Sequence, residues 1–358
     1  IYEFWPYVDK VDLIVFPDCY DGEMQHWLRE KGYLVFGNGR GEKLEMDKVF
    51  FLEELEKAGL PIARTYRAEG IDDLCKYLEK QDGVRWLKTS YYRGDFETKK
   101  FVNMAQIQPW IDHLKTRIGR GVNDIEILVQ DPIDSEIEVG YDGFNVDGEY
   151  TGNCIAGYEI KDKGFVGSIQ SEPAEIVKYV NDNISGLFKK LGYRGHFSTE
   201  IRVTKEGVPY FIDPTCRLPS PPSELMVELY ENYAEIIWEV ANGRVPVPQF
   251  KHKYGAEIIL TSESAEDMSL CVHVPKGIRP WVKLKNHMRE GDNFYCIPNG
   301  NAQFIGAVVA VGDTIEEATK KCKEYVDQIK ADDLHTDPNI FEAANEQIAN
   351  GKKFGVKF

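Results

Sequence analysis

The spacing of apolar residues predicts a chain in which strands and helices alternate. Apolar runs at residues 11–16 and 33–36 flank a helical stripe made by Met24, Trp27 and Leu28, an order typical of a parallel strand–helix–strand unit. Further strands are predicted at residues 84–88, 125–130, 136–139, 201–204, 210–212, 256–260 and 306–311, and helices at 46–58, 71–78, 172–190, 224–241 and 314–329. We therefore expect an α/β protein with mixed α+β subdomains.

Residues 201–204 and 210–212 predict a β-hairpin. The turn is expected at residues 206–207, Glu-Gly, because two-residue turns containing glycine are common in hairpins. With the turn there, Glu200 lies directly opposite Asp213 and shares a face with it.

The two facing carboxylates suggest a bound cation. Like charges about 5 Å apart across two strands destabilise a sheet, and Mg²⁺ is a cation that binds one or two carboxylates together with water and phosphate oxygens. Thr215 shares the same face, and Arg217 follows it. The alternative is an exposed hairpin edge whose charges point apart into solvent.

Composition narrows the class of protein. The chain has 358 residues, a formal charge of -16, 42% hydrophobic and 28% charged residues, and no run that could span a bilayer. This acidity argues against sequence-independent nucleic-acid binding, although a local basic patch remains compatible with it. The seven cysteines are scattered singly, which predicts reduced thiols and a cytoplasmic protein. The first residue is not methionine, so residues that precede Ile1 are compatible with the sequence.

The order of motifs resembles the ATP-grasp superfamily, and most closely the phosphoribosylamine–glycine ligases. The resemblance starts near residue 11 and covers nearly the whole chain. It is carried by LEMDKVFFLEELEKAGLPIARTY at 44–66, by Lys88 before the turn YYRGD, by LVQDPI at 128–133, and by the hairpin with Glu200, Asp213 and Arg217.

The resemblance implies a role for each candidate residue. Arg217, Lys88 and Arg93 are the catalytic candidates and would contact phosphate groups of ATP. Gln130, Asp131 and Ile133 would line the adenine site, and Glu136 or Glu138 would hold the ribose. Glu200, Asp213 and Thr215 would hold Mg²⁺, or Mn²⁺ in its place. His196, near the hairpin, is expected to be structural because acylphosphate chemistry needs no imidazole base.

The resemblance also implies a division into subdomains. These are a partial Rossmann-like amino-terminal unit at 1–45, an entry segment at 46–84, a lid at 85–134, a central subdomain with the metal site at 135–248, and a carboxy-terminal subdomain at 249–358. The chain departs from the family at several points. The glycine-rich amino-terminal phosphate segment is absent, the loop after Lys88 has only Gly94, Thr215 replaces the usual asparagine, and LPSPPSE follows Arg217 where the family has FGDPE.

The activity implied is that of an ATP-dependent carboxylate–amine ligase of the kind used in purine biosynthesis. An amino acid such as glycine would be activated as an acylphosphate and joined to a phosphoribosylamine-like or nucleotide-derived amine, releasing ADP and phosphate. A non-catalytic nucleotide-binding module and an ATP-dependent kinase of a small carboxylic acid are the alternatives. The expected partners are small molecules, without membrane or nucleic acid, and the expected state is a monomer or a homodimer.

Overall fold

A short parallel pair of strands begins the fold. The structure, a computed structural model, describes residues 4–90, 98–298, 304–337 and 339–358. Its first elements are α1 (Trp5–Val8), β1 (Ile14–Val15), α2 (Gly22–Glu30), β2 (Val35–Phe36), α3 (Lys43–Met46) and α4 (Lys48–Lys57). Because β1 and β2 pair in parallel around α2, the predicted strand–helix–strand unit is confirmed.

The next six elements are four strands and two helices. The strands form a separate antiparallel sheet, here called the lid sheet. The six elements are β3 (Thr65–Glu69), α5 (Gly70–Leu78), β4 (Arg85–Thr89), β5 (Thr98–Phe101), α6 (Met104–Ile118) and β6 (Glu126–Gln130). The strand order is β3-β6-β4-β5. The two helices supply Ile71, Leu74, Ile111 and Leu114 to one apolar core with this sheet. Strand β3, which belongs to this sheet, and helix α5, which packs on it, lie in the predicted entry segment at 46–84.

A nine-stranded sheet forms the centre of the molecule. From the middle of the chain it takes β7 (Ser135–Val146), β8 (Glu149–Tyr150), β9 (Cys154–Ile160), β10 (Gly164–Gln170), β11 (Arg194–Thr204) and β12 (Pro209–Thr215). The helices of this part are α7 (Glu175–Leu191), α8 (Ser223–Leu229) and α9 (Tyr233–Ala241). The long helix predicted at 224–241 is thus two helices, separated at residues 230–232.

The carboxy-terminal segment completes the central sheet. Its elements are β13 (Tyr254–Thr261), β14 (Leu270–His273), β15 (Val282–Leu284), β16 (His287–Glu290), β17 (Asn293–Cys296), β18 (Phe304–Gly312), α10 (Ile315–Val326), β19 (Lys330–Ala331) and α11 (Ile340–Gly351). The central order is β12-β11-β7-β9-β10-β13-β18-β15, with β8 paired to β7. Strands β16, β17, β14 and β19 form a small sheet of their own.

The central sheet is nearly divided between β7 and β9. Strand β7 pairs with β11 along almost its whole length, but its ladder with β9 consists of the single pair Asp142–Ile155. Beyond this pair a cleft opens, lined by Val139 and Gly140 on one strand and by Gly157 on the other.

The two faces of the sheet differ in character. Helix α7 covers one face with Val177, Val180, Ile184 and Phe188, which pack with buried residues of β7 and β11. Successive side chains of a strand point to opposite faces, so Glu138 and Glu200 lie on the other face. No helix in the described ranges is long and apolar enough to cross a membrane.

Candidate functional site

The hairpin of β11 and β12 places Glu200 opposite Asp213, as predicted, but the turn and the strand pairing that produce this register differ from the prediction. Val203 pairs with Pro209, and the Thr204 backbone N–H donates to Val208 O at 3.0 Å, so the turn has three residues, 205–207. Gly207 adopts φ +81°, the left-handed conformation that closes such a loop. The predicted two-residue turn is therefore wrong.

A β-bulge restores the register before the carboxylates. The pairing shifts between Glu200 and Ile201 and leaves Ile212 without a ladder partner. Phe211 consequently faces the core, opposite Ile201, whereas Asp213 faces Glu200 on the other side. In an unbroken ladder, Phe211 and Asp213 would lie on the same face, because they are two residues apart.

Asp213 is held by two lysines. Lys88 Nζ lies 2.9 Å from Oδ2, and Lys48 Nζ lies 2.8 Å from Oδ1. Lys88 also donates to Ile212 O at 2.9 Å, the carbonyl of the bulge. Burial alone would raise the pKa of Asp213, but the two lysines outweigh it and hold the pKa well below its usual range. Asp213 is therefore an anion at the meeting point of the lid sheet, α4 and β12.

Lys48 was not predicted as a site residue. It is the first residue of α4, and Asp47 caps this helix by accepting from the Phe50 backbone N–H at 3.0 Å. A lysine at a helix N-terminus opposes the helix dipole, so its position was a usable signal in the sequence. Its side chain is 4% exposed, which shows that the charge is used inside the protein.

Glu138 and Glu200 form a second charged group on the same face. Glu138 pairs with Arg202 across the strands, with Nε 3.0 Å from Oε2. Burial raises the pKa of Glu200 well above its usual range, and Glu138 and Asp213 raise it further because they are also acidic. A cation at Glu200 would relieve this repulsion.

Other predicted residues are only partly gathered here. Thr215 pairs with Ser198, two residues beyond Asp213 and on its face. Glu136 is exposed, at a second irregularity where the β7–β11 pairing steps from Ile137 to Ser135. Arg93 lies outside the described residues, so its predicted contact with phosphate stays a prediction.

A cavity that opens to solvent adjoins the lysines. Its lining includes Lys48, Lys88, Gln130, Ile133 and Phe211, so it lies between the lid sheet and the central sheet. Two of the three residues predicted for adenine are therefore on its wall.

Asp131 has another position. Its Oδ1 lies 3.0 Å from Arg85 Nε in an ion pair, and Asp131 does not line the cavity. The ribose candidates Glu136 and Glu138 are also not on the wall.

Arg217 is oriented by a buried carboxylate. Its Nε lies 2.8 Å from Glu45 Oε1, and Glu45 Oε2 accepts from the Cys216 backbone N–H at 2.7 Å. Glu45 is 6% exposed and belongs to α3, so the amino-terminal segment positions Arg217 at the end of β12.

No family model matches the chain, and no curated protein matches its sequence. Among solved structures, phosphoribosylamine–glycine ligase from Thermotoga maritima is similar at 16% identity and a TM-score of 0.73, covering 94% of this chain and 88% of its own.

Two further solved structures belong to other enzymes. The biotin carboxylase domain of Hydrogenobacter thermophilus 2-oxoglutarate carboxylase, solved with MgADP, ADP and bicarbonate, has 15% identity, a TM-score of 0.62 and coverage of 98% and 84%. N5-carboxyaminoimidazole ribonucleotide synthetase from Thermotoga maritima has 15% identity, a TM-score of 0.59 and coverage of 90% and 83%. The chain has the ATP-grasp fold.

The lid sheet and the central sheet are both parts of this ATP-grasp fold. The cavity lies between the lid sheet and the central sheet, and Lys88 on β4 contacts Asp213 on β12. The predicted fold is confirmed, including the lid and the amino-terminal strand–helix–strand unit.

The carboxylates at this site suit a metal ion that also keeps water or phosphate oxygens as ligands. Within the described ranges, no group of three or more His, Cys, Asp or Glu side chains could enclose a metal. Glu200 and Asp213 instead face each other as two carboxylates, and Mg²⁺ commonly binds one or two carboxylates while retaining water and phosphate oxygens. The two carboxylates therefore fit an ion such as Mg²⁺ better than they fit a closed metal cage.

Proposed function

We propose that the protein is an ATP-dependent carboxylate–amine ligase that works through an acylphosphate. The observation that carries this proposal is Asp213 held between Lys48 and Lys88 at the end of a cavity enclosed by two sheets. Phosphoryl transfer depends mainly on positioning and on neutralising charge, and this arrangement supplies both.

The cavity is the proposed site of the nucleotide base. Gln130 and Ile133 would contact adenine, and Leu128 and Phe211 provide apolar walls. Lys48 and Lys88 would then lie along the phosphates, with Arg93 as a predicted further contact. Glu136 or Glu138 stays the proposal for the ribose.

The acidic face is the proposed metal site. Glu200 and Asp213, with Thr215 beside them, would hold Mg²⁺, which supplies charge neutralisation at the phosphates when bound. Arg217, oriented by Glu45, would steady the transferred phosphoryl group. In the first step, the substrate carboxylate attacks the γ-phosphate of ATP, which gives an acylphosphate and ADP. In the second step, the amine attacks the acyl carbon, and phosphate leaves with the electrons of the broken carbon–oxygen bond.

Glycine and a phosphoribosylamine-like or nucleotide-derived amine are the proposed substrates, and purine biosynthesis is the proposed context. Support comes from the likeness in fold to phosphoribosylamine–glycine ligase, which has the highest TM-score of the three structures compared.

The test is ADP release from Mg-ATP with a panel of amino acids, with and without candidate amines. We expect turnover that requires both an acid and an amine, and its loss in Asp213→Ala. A stable phosphorylated acid formed without amine would favour a kinase. Nucleotide binding without turnover across the panel would favour a non-catalytic module.

A further inference from the structure

The backbone of Cys216, one residue before Arg217, is held by two buried side chains of the amino-terminal part of the chain. Asn38 Nδ2 donates to Cys216 O at 2.8 Å, and Asn38 is 3% exposed. The Cys216 N–H donates to Glu45 Oε2 at 2.7 Å. Asn38 follows β2 and Glu45 belongs to α3, so two separate elements hold the two backbone groups of one residue.

The amide of Asn38 is itself oriented by Gln25. Gln25 lies on α2, is 0% exposed, and donates from Nε2 to Asn38 Oδ1 at 2.8 Å. Its Oε1 accepts from the Gly39 backbone N–H at 2.8 Å. Neither amide can turn over without placing two donors or two acceptors against each other. The result is a chain of three hydrogen bonds that runs in one direction from Gly39 to Cys216.

A glycine makes room for this chain of hydrogen bonds. A Cβ at Gly37 would lie 2.2 Å from Gln25 Oε1, which is too close for any side chain. Residues 37–41, GNGRG, therefore bring their backbone against the Gln25 amide and present Asn38 to Cys216.

The residues after Cys216 are held by the same part of the chain. Arg217 Nε lies 2.8 Å from Glu45 Oε1, and the Leu218 N–H donates to Pro17 O at 2.9 Å. Strand β12 ends at Thr215, so these contacts orient residues 216–218 where the ladder with β11 no longer does.

We infer that Asn38 is a positioning residue for Arg217. With Gln25 behind it, Asn38 fixes the Cys216 carbonyl and thereby the direction in which the Arg217 side chain leaves the backbone. The inference rests on the proposed function, in which Arg217 steadies the transferred phosphoryl group. A displacement of about 1 Å at such a group can lower a rate about 100-fold, so precise support of this one peptide has a catalytic effect.

The test variant is Asn38→Ala, which removes the donor to Cys216 O and leaves Glu45 in place. With the acid and amine that support ADP release, we expect kcat to fall about 10- to 100-fold. KM for ATP should not change, because Arg217 acts on the phosphoryl group as it is transferred. Gln25→Met, which leaves Asn38 free to turn, should lower kcat by a smaller factor. Thermal unfolding checks that both variants are folded.

Arg217→Met shows whether Asn38 acts through Arg217. The single variant should lose about 100- to 1000-fold in kcat, as for removal of one donor that stabilises a transition state. Adding Asn38→Ala should cause no further loss, because no guanidinium remains to be positioned. Losses that multiply in the double variant would mean that Asn38 affects the site by another route, and they would overturn the inference.

Asn145→Ala is the matched control. Asn145 is also a buried asparagine, at 0% exposure, and its Oδ1 accepts from the Gly148 N–H at 3.0 Å in the hairpin of β7 and β8. This variant should be less stable than the wild type but keep its kcat. A similar loss of kcat in Asn38→Ala and Asn145→Ala would indicate general loosening of the protein and contradict a specific role for Asn38.

Backbone hydrogen exchange separates this inference from the ligase proposal, because it needs no turnover. In Asn38→Ala we expect exchange at residues 216–218 to become up to about tenfold faster, the effect of losing one hydrogen bond, and exchange at residues 201–204 to stay the same. Unchanged exchange at residues 216–218 would overturn the inference even in an active ligase. Faster exchange in a protein that turns over no acid would support the positioning of Arg217 while counting against the ligase.

Discussion

Asp213 illustrates how single residues define this site. Its ionised state depends on Lys48 and Lys88, since burial alone would favour the neutral acid. Asp213, whose side chain is 28% exposed, should lose stability when one of its two cationic partners is removed, and Lys48 is also proposed to contact phosphate.

Replacing Lys48 by methionine should therefore affect both stability and nucleotide binding. We expect the free energy of unfolding to fall by about 2 kcal/mol, less than for a fully buried pair because Lys88 remains. The Kd for MgADP should rise about tenfold or more, as for loss of a charge-assisted hydrogen bond. Denaturant unfolding and calorimetry measure the two effects. Lys57→Met, at the exposed end of the same helix, should change neither.

Asp142 provides a test by pH. It is buried, and burial raises its pKa to about 7, with a partly opposing hydrogen bond from Ser198 and a further increase from Glu159. Because the folded state keeps a proton that the unfolded state has released, Asp142 contributes stability below about pH 4 that is lost as the pH rises to about 7.

Asp142→Asn should remove this dependence. The unfolding free energy of the variant relative to the wild type should increase between pH 4 and 7 by at most about 1.4 kcal/mol per pH unit. Urea unfolding at several pH values measures the difference. Parallel curves for the two proteins would mean that Asp142 is ionised in the folded state.

Some residues of the site could be predicted from the sequence, and others could not. Glu200 and Asp213 could be paired because alternation and a turn signal define a register. His196, which was expected to be structural, is buried against Phe144, and its ring Nε2 lies 2.8 Å from the Tyr233 hydroxyl. Lys48 was missed because its partner is 165 residues away, and such a contact has no local pattern.

At the level of elements, the β11–β12 hairpin shows two opposite departures from regular pairing. A three-residue turn shifts the register, and the bulge at Ile212 shifts it back. The alternation of polar and apolar residues does not reveal the length of the turn, but the bulge leaves a trace in it, because Phe211 and Asp213 are two residues apart and yet face opposite sides. The predicted pairing was correct because the two shifts cancel.

The turn can be tested at Gly207, which has φ +81° with no atom near the position of a Cβ. Gly207→Ala should lower the free energy of unfolding by about 1–2 kcal/mol, the cost of the left-handed conformation for an L-residue. Gly186→Ala, inside α7 and also in open space, should instead stabilise by about 0.5–1 kcal/mol. Thermal unfolding of both variants distinguishes the backbone strain of an alanine at position 207 from the general effect of replacing a glycine by alanine.

Across the whole molecule, the sequence predicted the ATP-grasp architecture but not the place of every strand in it. Strands β13, β18 and β15, from the predicted carboxy-terminal subdomain at 249–358, join the central sheet. Strands β14, β16, β17 and β19 have two to four residues each, too few for a periodic signal to stand out.

A nucleotide between the two sheets should couple them. Saturating MgADP is expected to slow backbone hydrogen exchange at residues 128–133 and 210–213 together, because these segments line opposite walls of one cavity. Mass spectrometry of peptic fragments measures this. The effect should disappear in Lys88→Met, and protection of only one wall would place the nucleotide elsewhere.

The single Asp142–Ile155 pair between β7 and β9 has a mechanical consequence. Glu200 and Asp213 belong to the part of the sheet formed by β12, β11 and β7, and the strands from β9 to β15 in the sheet order form the other part. A small shear between the two parts would change their relative position while breaking almost no backbone hydrogen bonds.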